Sequence, residues 1–211
     1  MNPKIAKQLH YLEEAAKTLV WWSLSQIARG DHLVNDPKKG ERAWIIPCTT
    51  GEWLYRRITE ADARNVLELG TSIGYSTLWI AAAIAERDGV VHTIERNPKK
   101  VTIAGEAFLQ AGLEPFIRQH EGEIAEVLTA FTTTHPAIEP FDFVFMDADR
   151  GHYHEYFPVI ESMLTPDALI VADNAGNMNS RMQPFLDLLT HRGWSWEILN
   201  IDNGLLVSKN N

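Results

Sequence analysis

Two acidic stretches place oxygen-bearing side chains where an α/β sheet would gather them. In "FDFVFMDADRGHYHEYF" (141–157) an apolar run ends at Asp147, and Asp149 follows two residues later. In "ALIVADNAGN" (168–177) another apolar run ends at Asp173 and Asn174. If the two runs are neighbouring strands, they lie ~4.8 Å apart. Their carboxyl ends would then border the crevice in which such sheets bind ligands. Asp147, Asp173 and Asn174 would offer three oxygen donors at one point. Two carboxylates facing each other are costly unless a cation lies between them. Oxygen ligation without Cys or His favours a hard ion: Mg²⁺, Mn²⁺ or Ca²⁺. The plainer alternative is that Asp147 caps a helix and Asp173 with Asn174 caps a turn.

A second group lies earlier. "VLELGTSIGYS" (66–76) starts apolar, carries Glu68, passes through Gly70 and Gly74, and leads into a helical run. Glycines at such a point permit a tight strand-to-helix turn and let a ligand approach the backbone. A dinucleotide fingerprint would need glycine at 72 and 75, where this chain has Ser72 and Tyr75, and the Gly-Lys-Ser/Thr of a P-loop is missing. Glu68 in the turn would repel a pyrophosphate but suit a cationic sulfonium amino acid. Glu95, at the end of the next apolar run, is placed to accept hydrogen bonds from two ribose hydroxyls. A cationic nucleoside without phosphate meets all three conditions, and S-adenosylmethionine is such a molecule. Taken singly, the glycines read equally as a bare turn and Glu95 as a solvated strand end. Their conjunction in this order carries the inference.

These side chains need a scaffold, and residue 65 onward supplies one. Short apolar runs at Asn65–Leu69, Val90–Glu95, Phe116–His120, Asp142–Asp147 and Ala168–Asp173 alternate with amphipathic stretches near 74–87, 98–112, 122–132, 153–164 and 179–192. That alternation predicts βαβ units and a mostly parallel sheet. Two more strands, Ser195–Asn200 and Leu205–Ser208, flank Asp202, Asn203 and Gly204, a hairpin signal, so the sheet should end in an antiparallel strand. Upstream, Pro3 and the recurrence of Ile5, Leu9, Leu12, Ala16, Leu19 and Val20 predict a helix over 3–28. Residues 29–42 read as a loop, and Thr50 is expected to cap a second helix carrying Trp53, Leu54 and Ile58. The expected organisation is one domain over 1–211, with a helical addition (1–60) on a core (61–211).

Bulk properties narrow the partners. The 211 residues carry a net charge of -9 and are 45% hydrophobic. An acidic chain is a poor default binder of nucleic-acid backbones. No apolar run is long enough to span a bilayer, and the first twenty residues show no signal-peptide h-region. A cytoplasmic setting with no membrane partner is therefore expected. Cys48 is the single cysteine, which precludes an intrachain disulfide, and it is expected as a small buried side chain. Trp21, Trp22, Trp44 and Trp53 read as core or subunit interface before they read as a stacking surface for an aromatic acceptor. "NPKK" (97–100) reads as a solvated helix face. His152 and His154 read as a solvated helix start, with proton acceptance as the alternative.

The blocks "GEWLYRRI", "VLELGTSIGYSTLWIA", "TIERNPKKV", "EGEIAEVL", "FDFVFMDADRGHYHEYF", "VADN" and "DNGLLVSK" run in this order over about residues 45–209. Together they resemble the cation-dependent, S-adenosylmethionine-dependent O-methyltransferases, the family of the catechol and caffeoyl-coenzyme A O-methyltransferases. The resemblance implies an α/β fold of the class I methyltransferase type. This is a Rossmann-like doubly wound sheet of seven strands, the last antiparallel, with extra N-terminal helices. It implies that Glu68, Gly70, Thr71 and Ser76 line the methionine part of the cofactor. Glu95 and Arg96 would lie at the ribose, Gly122, Glu123 and Ile124 beside the adenine, and Asp147 at the cofactor's edge. It also implies a divalent cation, Mg²⁺ first, on Asp147, Asp173 and Asn174, and a homodimer.

Two departures from the family bear on the chemistry. The family often has a lysine three residues after the first metal aspartate, assigned as general base or substrate anchor. Here that position is Arg150, which stays protonated and cannot be a base. Arg150 would anchor the acceptor or stabilise an oxyanion. The proton would fall to Asp149, His152 or His154, or the metal alone would acidify the hydroxyl. The loop after Asn174 is also shorter than in the family, which implies an acceptor site that is more open or is closed by the N-terminal helices. The expected function is methyl transfer from S-adenosylmethionine to a hydroxyl of a small phenolic or catechol-like acceptor. The alternatives are a tRNA hydroxyuridine-type O-methyltransferase, which the charge of -9 disfavours, and a cofactor-binding protein without methyl transfer. The glycine spacing sets a nicotinamide dehydrogenase aside.

Overall fold

The computed structural model describes residues 1–18, 20–21, 41–133, 138–176 and 181–210. Elements follow in chain order as α1 (Pro3–Thr18), β1 (Val20–Trp21), β2 (Glu41–Arg42), α2 (Cys48–Glu60), β3 (Asn65–Leu69), α3 (Tyr75–Ile84), β4 (Val90–Glu95), α4 (Pro98–Ala111), β5 (Ile117–Glu121), α5 (Ile124–Thr133), β6 (Phe141–Met146), α6 (Tyr153–Glu161), β7 (Leu164–Ala172), α7 (Gln183–His191), β8 (Trp194–Leu199) and β9 (Leu205–Asn210). The last seven strands form one sheet in the order β5-β4-β3-β6-β7-β9-β8. β9 is antiparallel to both of its neighbours, and the pairs β3–β4, β3–β6, β4–β5 and β6–β7 are parallel. The seven-stranded sheet with its last strand antiparallel is the architecture the sequence predicts, with strand ends displaced by a residue or a few.

The alternation within strands decides which helix covers which face. Val66, Phe143, Phe145 and Val171 point into one core with Leu54 and Ile58 of α2, Leu78 of α3 and Phe108 of α4. Leu67, Leu69, Val144, Met146 and Ile170 point into the other with Leu128 of α5, Phe157 of α6 and Leu189 of α7. Each fully buried large side chain adds roughly 1.5–3 kcal/mol, so the two cores hold the strand ends in fixed relative positions. All five residues of β3 are buried, as expected of a central strand covered on both sides. α3 is buried along its whole length, because α1 and α2 cover it on the side away from the sheet. Gly51 permits that cover: a Cβ there would run into the Trp79 indole.

Two upstream expectations change. The first helix stops at Thr18, and Val20–Trp21 pairs with Glu41–Arg42 as a two-residue antiparallel ladder. β-branched and aromatic residues fit a pleated ladder better than a helix. Leu19, Trp22 and the rest of the expected helix to residue 28 lie outside the described residues, as do 29–40 of the expected loop. Thr50 does not cap α2. Pro47 holds that position, with the extended backbone that a helix entry needs, and the Thr50 hydroxyl donates to Asp202 instead. The last long helix begins at Gln183, where Pro184 suits a first turn. Residues 179 and 180 of the expected helix lie outside the described residues. Among the described residues no helix is long and apolar enough to cross a membrane.

Candidate functional site

The sheet reverses its order of connection between β3 and β6, and the crevice at such a switch point is where open α/β sheets bind ligands. Leu69 and Met146 are partners in register there, and the Asp147 N–H donates to the Leu69 carbonyl at 2.9 Å. Gly70 follows with φ 98°. A Cβ at this position would strike the Asp147 carbonyl, so only glycine fits the gap. The N–H groups of Gly70 and Thr71 both donate to the Ile94 carbonyl, at 3.0 and 3.1 Å, which fastens the turn to β4.

Glu95 closes β4. Its Oε2 accepts the Ser72 N–H at 2.9 Å and its Oε1 the Asn97 N–H at 2.9 Å. The Asn97 side chain caps α4 by accepting the Lys99 N–H at 3.0 Å. Over these ends lies a cavity of about 350 Å³. Among the expected residues, Gly70, Glu95, Arg96, Gly122, Glu123, Ile124, Asp149 and His152 line it. Arg96 and Glu123 face each other across 3.6 Å. Ile94, Lys100, Ala148 and Tyr156 complete the wall. The Tyr156 ring stacks beside His152, with centroids 6.2 Å apart and planes 23° apart. The reading of "NPKK" as a solvated face holds for Pro98 and Lys99, which are exposed, and fails at Lys100. Lys100 is only 6% exposed, because the capped first turn of α4 turns its third residue towards the cavity.

Glu68, Thr71 and Ser76 sit beneath the turn, all three buried. The Glu68 carboxylate accepts the hydroxyls of Ser76 at 2.5 Å, Thr77 at 2.5 Å and Thr93 at 2.6 Å. The Thr71 and Thr93 hydroxyls meet at 2.5 Å. Burial pushes the Glu68 pKa up, with the three hydroxyls working against it. A carboxylate removed from water survives only where hydrogen bonds fill its lone pairs. Glu68 thus knits the turn to α3 and β4 from below.

The β6 and β7 ends bring Asp147 and Asp173 side by side, since Met146 pairs with Ala172 and the Asp173 N–H donates to the Met146 carbonyl at 3.0 Å. Burial first, then the charges of Asp173 and Glu68, push the Asp147 carboxyl up to about 7, against the pull of Arg150. Burial also raises Asp173. Asn174 stands in the left-handed region with φ 59°, and its Nδ2 donates to Asp173 Oδ2 at 2.7 Å. Its carbonyl accepts the Arg150 guanidinium at 2.7 Å. Among the described residues no three His, Cys, Asp or Glu side chains group as a metal centre; the expected set is two carboxylates and an amide. Its chemistry fits a hard divalent cation. Burial disfavours both acids as anions, the charge of Asp173 adds to this at Asp147, and the Asn174 amide lies against Asp173.

Asp149 accepts the Gly151 N–H at 3.1 Å and the Arg181 guanidinium at 2.6 Å, with His152 Nδ1 at 3.4 Å. The Gly151 bond first, then Arg181 and His152, holds its pKa below the usual carboxylate range, which makes Asp149 a poor proton acceptor near neutrality. Tyr153 closes the same loop by accepting the Ala148 N–H at 2.9 Å. One smaller expectation also changes. Cys48 is exposed rather than buried, because Pro47 starts α2 with residue 48 on its outer side. Trp44 is 70% exposed, and with Cys48 and Tyr75 it borders a second cavity of about 470 Å³ against α1.

Comparison with known proteins gives the lineage. A catechol O-methyltransferase from Niastella koreensis is 36% identical over 135 residues, covering 64% of this chain and 60% of that protein. A caffeoyl-CoA O-methyltransferase from Populus trichocarpa is 31% identical over 134 residues, covering 62% of this chain and 54% of that protein. The chain thus matches between half and two thirds of the length of these relatives. The O-methyltransferase from Bacillus cereus, solved in complex with SAH, superposes with a TM-score of 0.70 at 25% identity, covering 98% of this chain and 100% of that one. An O-methyltransferase from Streptomyces achromogenes superposes with a TM-score of 0.73 at 23% identity over the full length of both chains, and shares the fold. Residues 35–182 match the O-methyltransferase family model, and the chain belongs to that family.

Proposed function

We propose that this protein transfers a methyl group from S-adenosylmethionine to a hydroxyl of a small phenolic or catechol-like acceptor, with a divalent cation on Asp147, Asp173 and Asn174. One observation carries the reading: a cavity lined by Glu95 and Gly70 adjoins, through the close Gly70–Asp147 backbone contact, the strand ends where half-buried Asp147 and buried Asp173 stand side by side. The first part suits a nucleoside without phosphates, and the second suits a cation. The names of the relatives and the SAH-bound neighbour support it.

In this reading Glu95, oriented by two backbone N–H groups, accepts the ribose hydroxyls. Gly122, Glu123 and Ile124 flank the base, with the Tyr156–His152 stack opposite. Glu68, Thr71 and Ser76 keep the turn rigid from below. S-Adenosylmethionine supplies an already activated methyl, so no covalent intermediate is needed. A cation on Asp147, Asp173 and Asn174 supplies Lewis acidity that lowers the pKa of the acceptor hydroxyl. The protein's own task is to hold that oxygen in line with the methyl, which makes proximity and orientation the main terms. Arg150, fixed on the Asn174 carbonyl, offers a guanidinium that steadies the developing oxyanion.

The test is a thermal melt with saturating S-adenosylhomocysteine in EDTA and in Mg²⁺, Mn²⁺ or Ca²⁺, followed by transfer of labelled methyl to a panel of phenols. A ligand at a hundred times its dissociation constant adds ~2.7 kcal/mol, or roughly 5–10 °C here. The expected result is such a shift with cation, lost in Asp173→Ala, and turnover of at least one catechol. S-Adenosylhomocysteine stabilisation with no cation effect would remove the metal from the reading. Tight binding with no turnover across the panel would reject the transferase.

A further inference from the structure

The tip of the β8–β9 hairpin touches the start of α2 and a loop of the candidate site at once. Asp202 Oδ2 accepts the hydroxyls of Thr49 at 2.5 Å and Thr50 at 2.6 Å, both in the first turn of α2. The next two residues brace the loop that carries the expected metal ligands. The Asn203 carbonyl accepts the Gly176 N–H at 2.7 Å, and the Gly204 carbonyl accepts the Ala175 N–H at 2.8 Å. Asn203 Nδ2 also reaches Asn174 Oδ1 at 3.4 Å. A Cβ on Gly176 or Gly204 would strike the opposing backbone, so the two loops meet main chain to main chain. Non-glycine residues in the left-handed region stand at both ends of this brace, Asp202 with φ 48° and Asn174 with φ 59°. Such backbone persists where surrounding contacts over-determine it, and it clusters at functional sites.

We propose that Asp202 is a positioning residue. By tying the start of α2 to the hairpin tip, it holds Asp173 and Asn174 in the arrangement that receives the divalent cation. It acts through Asn203 and Gly204, and the inference rests on the cation reading above. Groups that orient a metal's ligands commonly set its affinity without touching it.

The experiment is a Mn²⁺ titration followed by electron paramagnetic resonance, on protein saturated with S-adenosylhomocysteine. It compares wild type, Asp202→Ala, Asp202→Asn and the Thr49→Val/Thr50→Val double variant. Asp202→Ala and the double variant are expected to bind Mn²⁺ at least about tenfold more weakly. Asp202→Asn should stay within about threefold of wild type, because its amide oxygen still accepts both hydroxyls. Calorimetry should find the S-adenosylhomocysteine affinity unchanged in all four, showing that the fold and the nucleoside cavity are intact. Wild-type Mn²⁺ affinity in Asp202→Ala overturns the positioning role alone. An Asp202→Asn variant as weak as Asp202→Ala overturns it too, because charge rather than the tether would then be acting. A wild-type protein that binds no Mn²⁺ overturns the cation reading and this inference with it.

Discussion

The Glu95 carboxylate and the Ser72 N–H lie 2.9 Å apart, so the acid that ends β4 also fastens the turn that ends β3. Glu95→Ala therefore removes the proposed ribose acceptor and leaves the Ser72 and Asn97 N–H groups without their partner. Hydrogen bonds to a charged group contribute about 1.5–3 kcal/mol, so S-adenosylhomocysteine affinity should fall about 10- to 100-fold. Isothermal calorimetry decides, and an unaltered dissociation constant would reject the ribose assignment.

Gly70 tests the turn itself. Alanine there meets both a φ of 98° and the Asp147 carbonyl, and no rotamer change can relieve a backbone clash. A cost of about 1–3 kcal/mol is expected, with a melting temperature lower by roughly 2–12 °C and weak or absent nucleoside binding. Wild-type melting and binding in Gly70→Ala would mean that the Gly70–Asp147 gap is not needed.

Lys100 separates binding from stability. Lys100→Met keeps an unbranched stem of similar length in the cavity wall and removes the charge. If the ammonium serves the nucleoside, S-adenosylhomocysteine affinity should drop about tenfold. Global stability should hold, since methionine keeps the apolar stem packed in the wall. Equal losses of affinity and urea stability would assign Lys100 a structural role instead.

Lys100 also shows where reading the sequence stops. The βαβ alternation was legible because strand and helix periods differ. Glu95, Asp173 and Asn174 were legible because each closes an apolar run, and run ends map onto strand ends. Lys100, Tyr156 and Arg181 carry no such mark. They reach the site from helix faces or a loop whose orientation depends on tertiary packing. Glu68 was visible as a carboxylate beside a glycine turn. Its three hydroxyl partners come from α3 and β4, so its inward orientation could be read only from the fold. Thr50 matched a capping pattern, but Pro47 supplies the helix entry and Asp202, 152 residues away in sequence, takes the hydroxyl.

Glu68 gives a prediction in pH. Its folded-state pKa is raised, by burial above all, whereas the unfolded chain titrates near the ordinary glutamate value of about 4.3. Below that value both states are protonated, and the charge imposes no penalty on folding. As pH rises through it, the unfolded chain releases its proton first, so stability falls until the folded-state pKa is passed. Glu68→Gln cannot titrate and escapes this loss. The unfolding free energy of Glu68→Gln relative to wild type should therefore climb with pH above about 4.3, by at most about 1.4 kcal/mol per pH unit. Asp147 adds to the trend, because the Glu68 charge also raises its pKa. Urea unfolding of both proteins between pH about 4.5 and 8 measures the difference. A difference that stays flat across that window would mean that the three hydroxyls fully offset the burial of the carboxylate.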